Sequence, residues 1–458
     1  MYKIDFKKPI SIYFIGIGGI SMSGLAEILA NEHFNISGSD TKSSALTKSL
    51  EEKGILINYG QTASNISDSL DLIVYTAAIR EDNPELMAAR QKEIPCMTRA
   101  DLLGQIMTNF DTPIAISGTH GKTTTTSMVS EILLKQDLDP TLSIGGILKT
   151  IGGNIRIGNS PYFVTEACEY TNSFLSFFPK ISIILNVEED HMDFFKDIHE
   201  IRTSFNSFAK LLPSDGYLII NGDIEGIDEI TKDTVCNIIT FGSNSSYDYY
   251  PTNITYDNMA RPSYTMCHGT IKTDITLGVT GEHNIYNSLS TIALADLLKI
   301  PIDTIKMALL SFSGTDRRFE YKGALGGITI IDDYAHHPTE ITATLEAAKK
   351  YPHKTTWCVF QPHTYTRTNA FLTDFAKSLS LADRVVLTDI YAAREKNTLG
   401  ITSLDLLQEL DKLGTKSYYF PSFDEIENFL LENCESGDLL ITMGAGDVVK
   451  IGENLLGL

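Results

Sequence analysis

Short apolar runs recur along the chain, and most lead into a turn and then into apolar residues at helical spacing. Residues 10–15 form the first run. Gly16, Gly18 and Gly19 follow, and then Leu25, Ile28 and Leu29. Similar runs stand at 34–37, 55–57 and 72–75, and a helix is predicted through Leu86 and Met87. Others stand at 113–116, 162–165, 181–185, 328–331, 357–360, 384–387 and 438–441. Strand-length runs alternating with helical patterns predict βα units and parallel sheets. Residues 241–279 instead alternate apolar positions with Tyr, Thr, Asn and Asp, which predicts a β-meander or loops. A chain of 458 residues exceeds one core. The expected fold is α/β in three units, 1–109, 110–313 and 314–458.

The run at 113–116 carries the clearest chemistry. It is followed by Gly118-Thr119-His120-Gly121-Lys122-Thr123-Thr124, and then by a helix through Met128, Val129, Ile132 and Leu133. This is the order of a phosphate-binding loop. Glycines let backbone N–H groups approach phosphate oxygens, and the helix N-terminus adds unpaired donors. Lys122 would reach the β/γ-phosphates and Thr123 would place its hydroxyl on Mg²⁺. The motif is shortened, because the usual first glycine would fall on Ile116. The central unit is therefore expected to be P-loop ATPase-like. The first unit reads as Rossmann-like. Its Gly16 and Gly18 fit G-x-G-x-x-G, but Ser21 takes the third position, and Asp40 ends the second strand where a ribose hydroxyl would be held.

Composition narrows the partners. Acidic residues outnumber basic ones by 58 to 37, for a net charge of −21. That balance argues against non-specific binding to nucleic acid or to anionic membranes, while leaving a local phosphate site open. No stretch approaches the roughly 20 apolar residues of a spanning helix, and the first residues carry no apolar core of signal-peptide length. The six cysteines are scattered, with no C-x-x-C pair, as expected for reduced thiols in the cytoplasm. No Ser-His-Asp or Cys-His nucleophile stands out, and the ten histidines lack zinc-type spacing.

Polar residues collect just after the apolar runs, where parallel sheets bind ligands. Glu166 and Glu169 end one run, and Asp190 and His191 follow another. Glu166 is a candidate Mg²⁺ ligand, and His191 a ligand or a donor behind it. His283, Asn284 and Asn287 open a helix and could read a purine edge or simply cap it. Arg317 and Arg318 are a candidate phosphate-contacting pair at the third unit's boundary. Asp333, Tyr334, His336 and His337 follow the strand at 328–331. His363 and Arg367 follow the next one, and Gly444, Gly446 and Asp447 follow the last.

Taken in order, these motifs resemble the Mur ligases of peptidoglycan synthesis over essentially the whole chain. They are nearest to the members that attach L-alanine to UDP-N-acetylmuramate. The resemblance implies an ATP-dependent amide-forming ligase acting through an acyl phosphate, with Mg²⁺. The first unit would hold the UDP-sugar, the second ATP, and the third (Rossmann-like) the amino acid. Carried over, Gly118 to Thr124 would cradle ATP, with Thr123 and Glu166 near Mg²⁺ and His191 at a second metal or its shell. Lys122, His191 and Arg317 would act in catalysis. His283, Asn284 and Asn287 would lie near adenine, Arg317 near the phosphates and Asp333 near ribose. Tyr334, His336, His363 and Arg367 would line the alanine and acyl-phosphate site, and Gly18, Ser39 and Asp40 would touch the UDP moiety.

Two departures stand out. Asn206 occupies the region where relatives that add later amino acids carry a carbamylated lysine, and Lys210 is out of register. Thr364 stands where some alanine-adding members have Arg. The alternatives are a ligase recycling a whole tripeptide onto the same UDP-sugar, an NAD(P)-dependent oxidoreductase resting on Gly16 to Asp40, and a non-catalytic ATP switch. The sequence does not decide between monomer and homodimer.

Overall fold

The computed structural model describes residues 2–76, 78–393 and 395–458. The first unit is a five-stranded parallel sheet in the spatial order Leu56–Tyr59, Asn35–Asp40, Ser11–Ile15, Leu72–Tyr75, Cys96–Thr98. Chain order reverses between the third and fourth strands. A crevice therefore opens at their carboxyl ends, where the glycine turn after Ile15 lies.

The central sheet has seven strands, and its middle strand is Thr112–Ser117, which feeds the phosphate loop. Tyr162–Ala167 pairs on one side and Ile181–Ile184 on the other, both parallel. This register sets Ala167 and Ile184 beside Ser117, so the acidic segments after both neighbours emerge next to the loop. The expected meander is present as Tyr250–Tyr256, Pro262–His268 and Ile271–Thr276, antiparallel throughout.

The third unit has six strands in the order Glu320–Leu325, Ile328–Asp333, Leu439–Met443, Thr356–Phe360, Arg384–Leu387, Lys416–Tyr419. The first is antiparallel and the others are parallel. Asp333 and Phe360 both align with Met443, so the loops bearing Tyr334, His363 and Gly444 converge at one sheet end.

The cores differ in how they join. One apolar cluster runs without a break from Ile12, Phe14 and Leu103 of the first unit into Phe163, Phe174 and Phe205 of the second. Phe6, Phe110 and Phe163 form an aromatic ladder across that junction, with centroid spacings of 5.9 and 5.0 Å. The third unit keeps two clusters of its own, on the two faces of its sheet. Its contacts with the second unit, described below, are mainly polar.

Candidate active site

The phosphate loop is shaped by two glycines in the left-handed half of backbone space, Gly118 at φ 143° and Gly121 at φ 82°. A Cβ at Gly118 would stand 3.0 Å from that of Leu185, and one at Gly121 would stand 2.9 Å from the Asn287 Oδ1. The helix Lys122–Lys135 starts directly after Gly121. Asn186 clasps the loop from the neighbouring strand. Its Oδ1 accepts from the His120 N–H at 2.7 Å, and its Nδ2 donates to the His120 carbonyl at 3.1 Å. Thr119 is held by the Glu188 N–H, which donates to its hydroxyl at 2.9 Å.

Lys122 bends back over the loop. Its ammonium donates to the Gly118 and Thr119 carbonyls and pairs with Glu169 at 3.1 Å. Burial alone would lower its pKa, but the carboxylate of Glu169 outweighs that and holds the lysine charged. Thr123 donates to Glu166 at 3.1 Å, and the Gly145 N–H donates to the other oxygen of Glu166 at 2.6 Å. Burial pushes the Glu166 carboxyl above its ordinary range, against those hydrogen bonds and the charges of Lys122 and Arg318. A half-buried carboxylate short of positive charge, beside a threonine hydroxyl at a glycine loop, is a donor set that suits a hard divalent cation. His191 lies 3.8 Å from Glu169 and 3.7 Å from Asp190, stacked on Tyr170. Burial lowers its pKa, which leaves a neutral ring able to ligate a metal.

A cavity of about 330 Å³ opens beside the loop, between the second and third units. His120, Gly121, Thr124, His283, Asn284, Asn287, Arg318, Asp333 and Glu340 are among its walls. Asn287 donates to Asn284 at 2.9 Å, and Asn284 donates to the Thr280 carbonyl at 2.8 Å. Burial lowers the His283 pKa to about 4, so its ring is neutral. Asp333 accepts from the Phe319 and Ala335 N–H groups at 2.8 and 2.7 Å, yet burial raises its pKa to about 6. Of the arginine pair, Arg318 lines the cavity. Arg317 turns into the third unit, to Asp332 at 2.9 Å and to the Gly444 and Gly446 carbonyls at 2.8 and 3.0 Å.

The third unit's polar loops meet the second unit at Asp190. Arg367 donates to Asp190 Oδ1 through Nη2 at 2.9 Å and Nε at 3.2 Å, and its Nη1 lies 3.2 Å from His363. His363 and Tyr334 lie on either side of His336, with ring centroids 5.8 and 5.4 Å away. Tyr334 lies under both Arg317 and Arg318. The three sets expected for phosphate, nucleoside and amino acid are thus adjacent. The UDP set sits apart, in the crevice of the first unit. There the Gly18 N–H donates to Asp40 at 2.8 Å. The Ser39 hydroxyl is buried and donates to Glu85 at 2.6 Å, so it faces inward.

Sequence reasoning passed over several residues. Glu85 is fully buried and gathers Tyr13, Ser39 and Asn65 beneath the crevice of the first unit. Arg99 donates to Ser21 at the glycine turn. Glu340 sits in the first turn of the helix Pro338–Lys349 and meets both His336 and His120. None carries a motif of its own; only the fold brings them to the site. Asn206, at the variable lysine region, donates to the Ile230 and Lys232 carbonyls at 2.8 Å each and so serves the fold.

Comparison with known proteins agrees with this geometry. Three family profiles match in succession: "Mur ligase family, catalytic domain" over residues 11–111, "Mur ligase middle domain" over 116–295, and "Mur ligase, glutamate ligase domain" over 317–446. A protein of Agathobacter rectalis is 61% identical over 457 residues, covering 100% of both chains. The chain belongs to the Mur ligase family. That relative is a UDP-N-acetylmuramate–L-alanine ligase. Among solved structures, this Mur ligase is similar to the UDP-N-acetylmuramate-alanine ligase of Thermotoga maritima, at TM-score 0.81 and 29% identity, with 98% of each chain covered. It is less similar to a murein peptide ligase of Psychrobacter arcticus, at TM-score 0.71 and 25% identity, again over 98% of each. Among the described residues, no helix of the Mur ligase is long and apolar enough to cross a membrane.

Proposed function

We infer that this chain is an ATP-dependent ligase joining the amine of L-alanine to the lactyl carboxylate of UDP-N-acetylmuramate, in the cytoplasmic synthesis of peptidoglycan precursors. The reading is carried by 61% identity over the full length to an enzyme of that activity. It suits a site whose lysine, threonine and carboxylate converge on one glycine loop. Residues 1–109 are assigned to the UDP-sugar, 110–313 to ATP and 314–458 to the amino acid.

ATP is placed in the cavity beside the loop, with adenine towards His283, Asn284 and Asn287 and ribose towards Asp333. Backbone N–H groups from Gly118 to Thr124 and the ammonium of Lys122 hold the phosphates. Thr123 and Glu166 would hold Mg²⁺, with His191 serving a second ion or its shell. Bound there, Mg²⁺ would neutralise charge on the phosphate oxygens. Lys122 leaves Glu169 and the loop carbonyls to follow the γ-phosphoryl group as it passes to a lactyl carboxylate oxygen. ADP leaves and an acyl phosphate remains. Arg367 and His363 orient L-alanine. Its amine attacks the acyl carbon, the tetrahedral adduct expels phosphate, and the amine proton passes to solvent or to a neutral histidine. Arg317 ties the linker to the Gly444–Gly446 turn and so leaves Arg318 to face the phosphates. Catalysis of this kind rests on positioning and charge neutralisation.

The test is phosphate release from ATP with Mg²⁺, UDP-N-acetylmuramate and each amino acid in turn. Release should require the UDP-sugar and be strongest with L-alanine. Release that needs a tripeptide, or that ignores the amino acid, would overturn the reading.

A further inference from the structure

His120 is the aromatic member of the glycine loop, and its ring meets carboxylates of both the second and the third unit. Its Nδ1 lies 3.4 Å from Glu340 Oε1 and its Nε2 lies 3.5 Å from Glu188 Oε2. Glu188 follows the strand beside the loop, in the second unit, whereas Glu340 belongs to the third unit. Burial disfavours charge on the ring, but the two carboxylates outweigh it and raise the pKa to about 9. Two neighbouring hydrogen bonds cross the same seam. Thr339 donates to Glu188 at 2.6 Å, and His337 Nε2 donates to the Glu189 carbonyl at 3.0 Å.

His120, Glu188 and His337 lie close enough together to hold a cation. The hydrogen bonds argue against that use. His337 Nε2 must carry its proton to meet a carbonyl, and its Nδ1 accepts from the Thr339 N–H at 3.3 Å. Neither nitrogen is left for a metal. The group therefore reads as an ion-paired strap.

Glu340 carries the strap onward. Its Oε2 accepts from the His336 N–H at 3.1 Å and lies 3.2 Å from His336 Nδ1. The rings of His336 and His363 pack edge to face with centroids 5.8 Å apart, and His363 contacts Arg367. A chain of neighbouring side chains thus runs from the glycine loop through one carboxylate to the residues assigned to the amino acid.

We propose that His120 is a positioning residue that, through Glu340 and His336, sets the amino-acid site according to the state of the phosphate loop. The proposal rests on the function inferred above. Loop and amino-acid site lie on different units, so alanine capture would be strong only when the loop holds its nucleotide-bound shape.

Steady-state kinetics of His120→Gln, Glu340→Gln and the double variant test this. In each single variant the KM for L-alanine should rise at least about tenfold more than the KM for ATP. The double variant should stay within about twofold of the worse single one, because both changes cut one path. Equal rises in the two KM values, or additive effects, would overturn the proposal. A second measurement needs only the wild-type protein. Adding ATP should slow amide hydrogen exchange around residues 363–370, and unchanged exchange there would also overturn it. If wild-type protein ignores L-alanine altogether, the functional reading fails instead.

Discussion

Lys122 and Glu166 show opposite balances of burial and neighbouring charge. Lys122 is largely covered and has the buried Glu169 as its charged partner. Replacing it with Ala should reduce ligation by about 10³-fold or more. It should also destabilise the fold by about 3 kcal/mol, because Glu169 is left as an unpaired buried charge. UDP-sugar binding should stay close to wild type, since the site proposed for it is on the first unit. Calorimetric titration and thermal melts check the two halves. Glu166 is the reverse case, a carboxylate whose burial opposes its charge. Glu166→Gln should raise the Mg²⁺ concentration needed for activity at least about tenfold, yet melt higher than wild type when metal is removed with a chelator. Asp333 supplies the pH dependence. Its folded pKa, about 6, exceeds its ordinary value of 3.8. Its contribution to stability is therefore greatest below pH 3.8 and is lost as pH rises through about 6. In the ribose-binding role proposed for Asp333, the ionised form is the better acceptor, so the KM for ATP should fall as pH rises through about 6. That change should flatten in Asp333→Asn, read from rates across pH 5 to 8.

Elements were legible where sequence periodicity was strong. The strands at 113–116, 328–331, 357–360 and 384–387 sit where their apolar runs placed them, because central parallel strands are buried on both faces. The hairpin Thr141–Leu148 with Gly153–Arg156 was not anticipated, and neither was the edge strand Glu320–Leu325. Both are rich in glycine or polar residues and lie at sheet edges, so neither shows a continuous apolar run. The hairpin matters to the site, since it supplies the Gly145 N–H to Glu166. Likewise the glycine turn and the helix after it were legible from spacing, whereas Glu340 depends on contacts between units and Arg99 on a contact between distant segments of the first unit. The helix Arg99–Met107 offers a test of the junction. A Cβ at its Gly104 would lie 1.9 Å from the Ser176 carbonyl oxygen. Gly→Ala inside a helix ordinarily stabilises by up to about 1 kcal/mol. Here Gly104→Ala should destabilise by about 1–3 kcal/mol through overpacking, visible as a lower denaturant midpoint.

At the scale of the whole molecule, the first two units share an apolar core, whereas the third meets the second mainly through charged and polar groups. The first pair should therefore move as one body and the third unit should turn against it. The three-unit division was legible in the sequence, but this inequality was not, because Phe6, Phe110 and Phe163 are far apart in the chain. Raising ionic strength from about 0.1 to about 1 M shortens the Debye length from about 10 to about 3 Å. The KM for L-alanine should then rise by several-fold, while the KM for the UDP-sugar changes less. Scattering should show a smaller radius of gyration once all ligands are bound, and an unchanged profile would count against this hinge.

The ammonium of Lys122, resting on its own loop and on Glu169, has a consequence for turnover. A buried cation without a partner would make the nucleotide-free protein costly, and the spent nucleotide would then be slow to depart. In the nucleotide role proposed for Lys122, the cation has a berth to return to as ADP leaves. On that reading, the vacated enzyme would be ready for the next cycle.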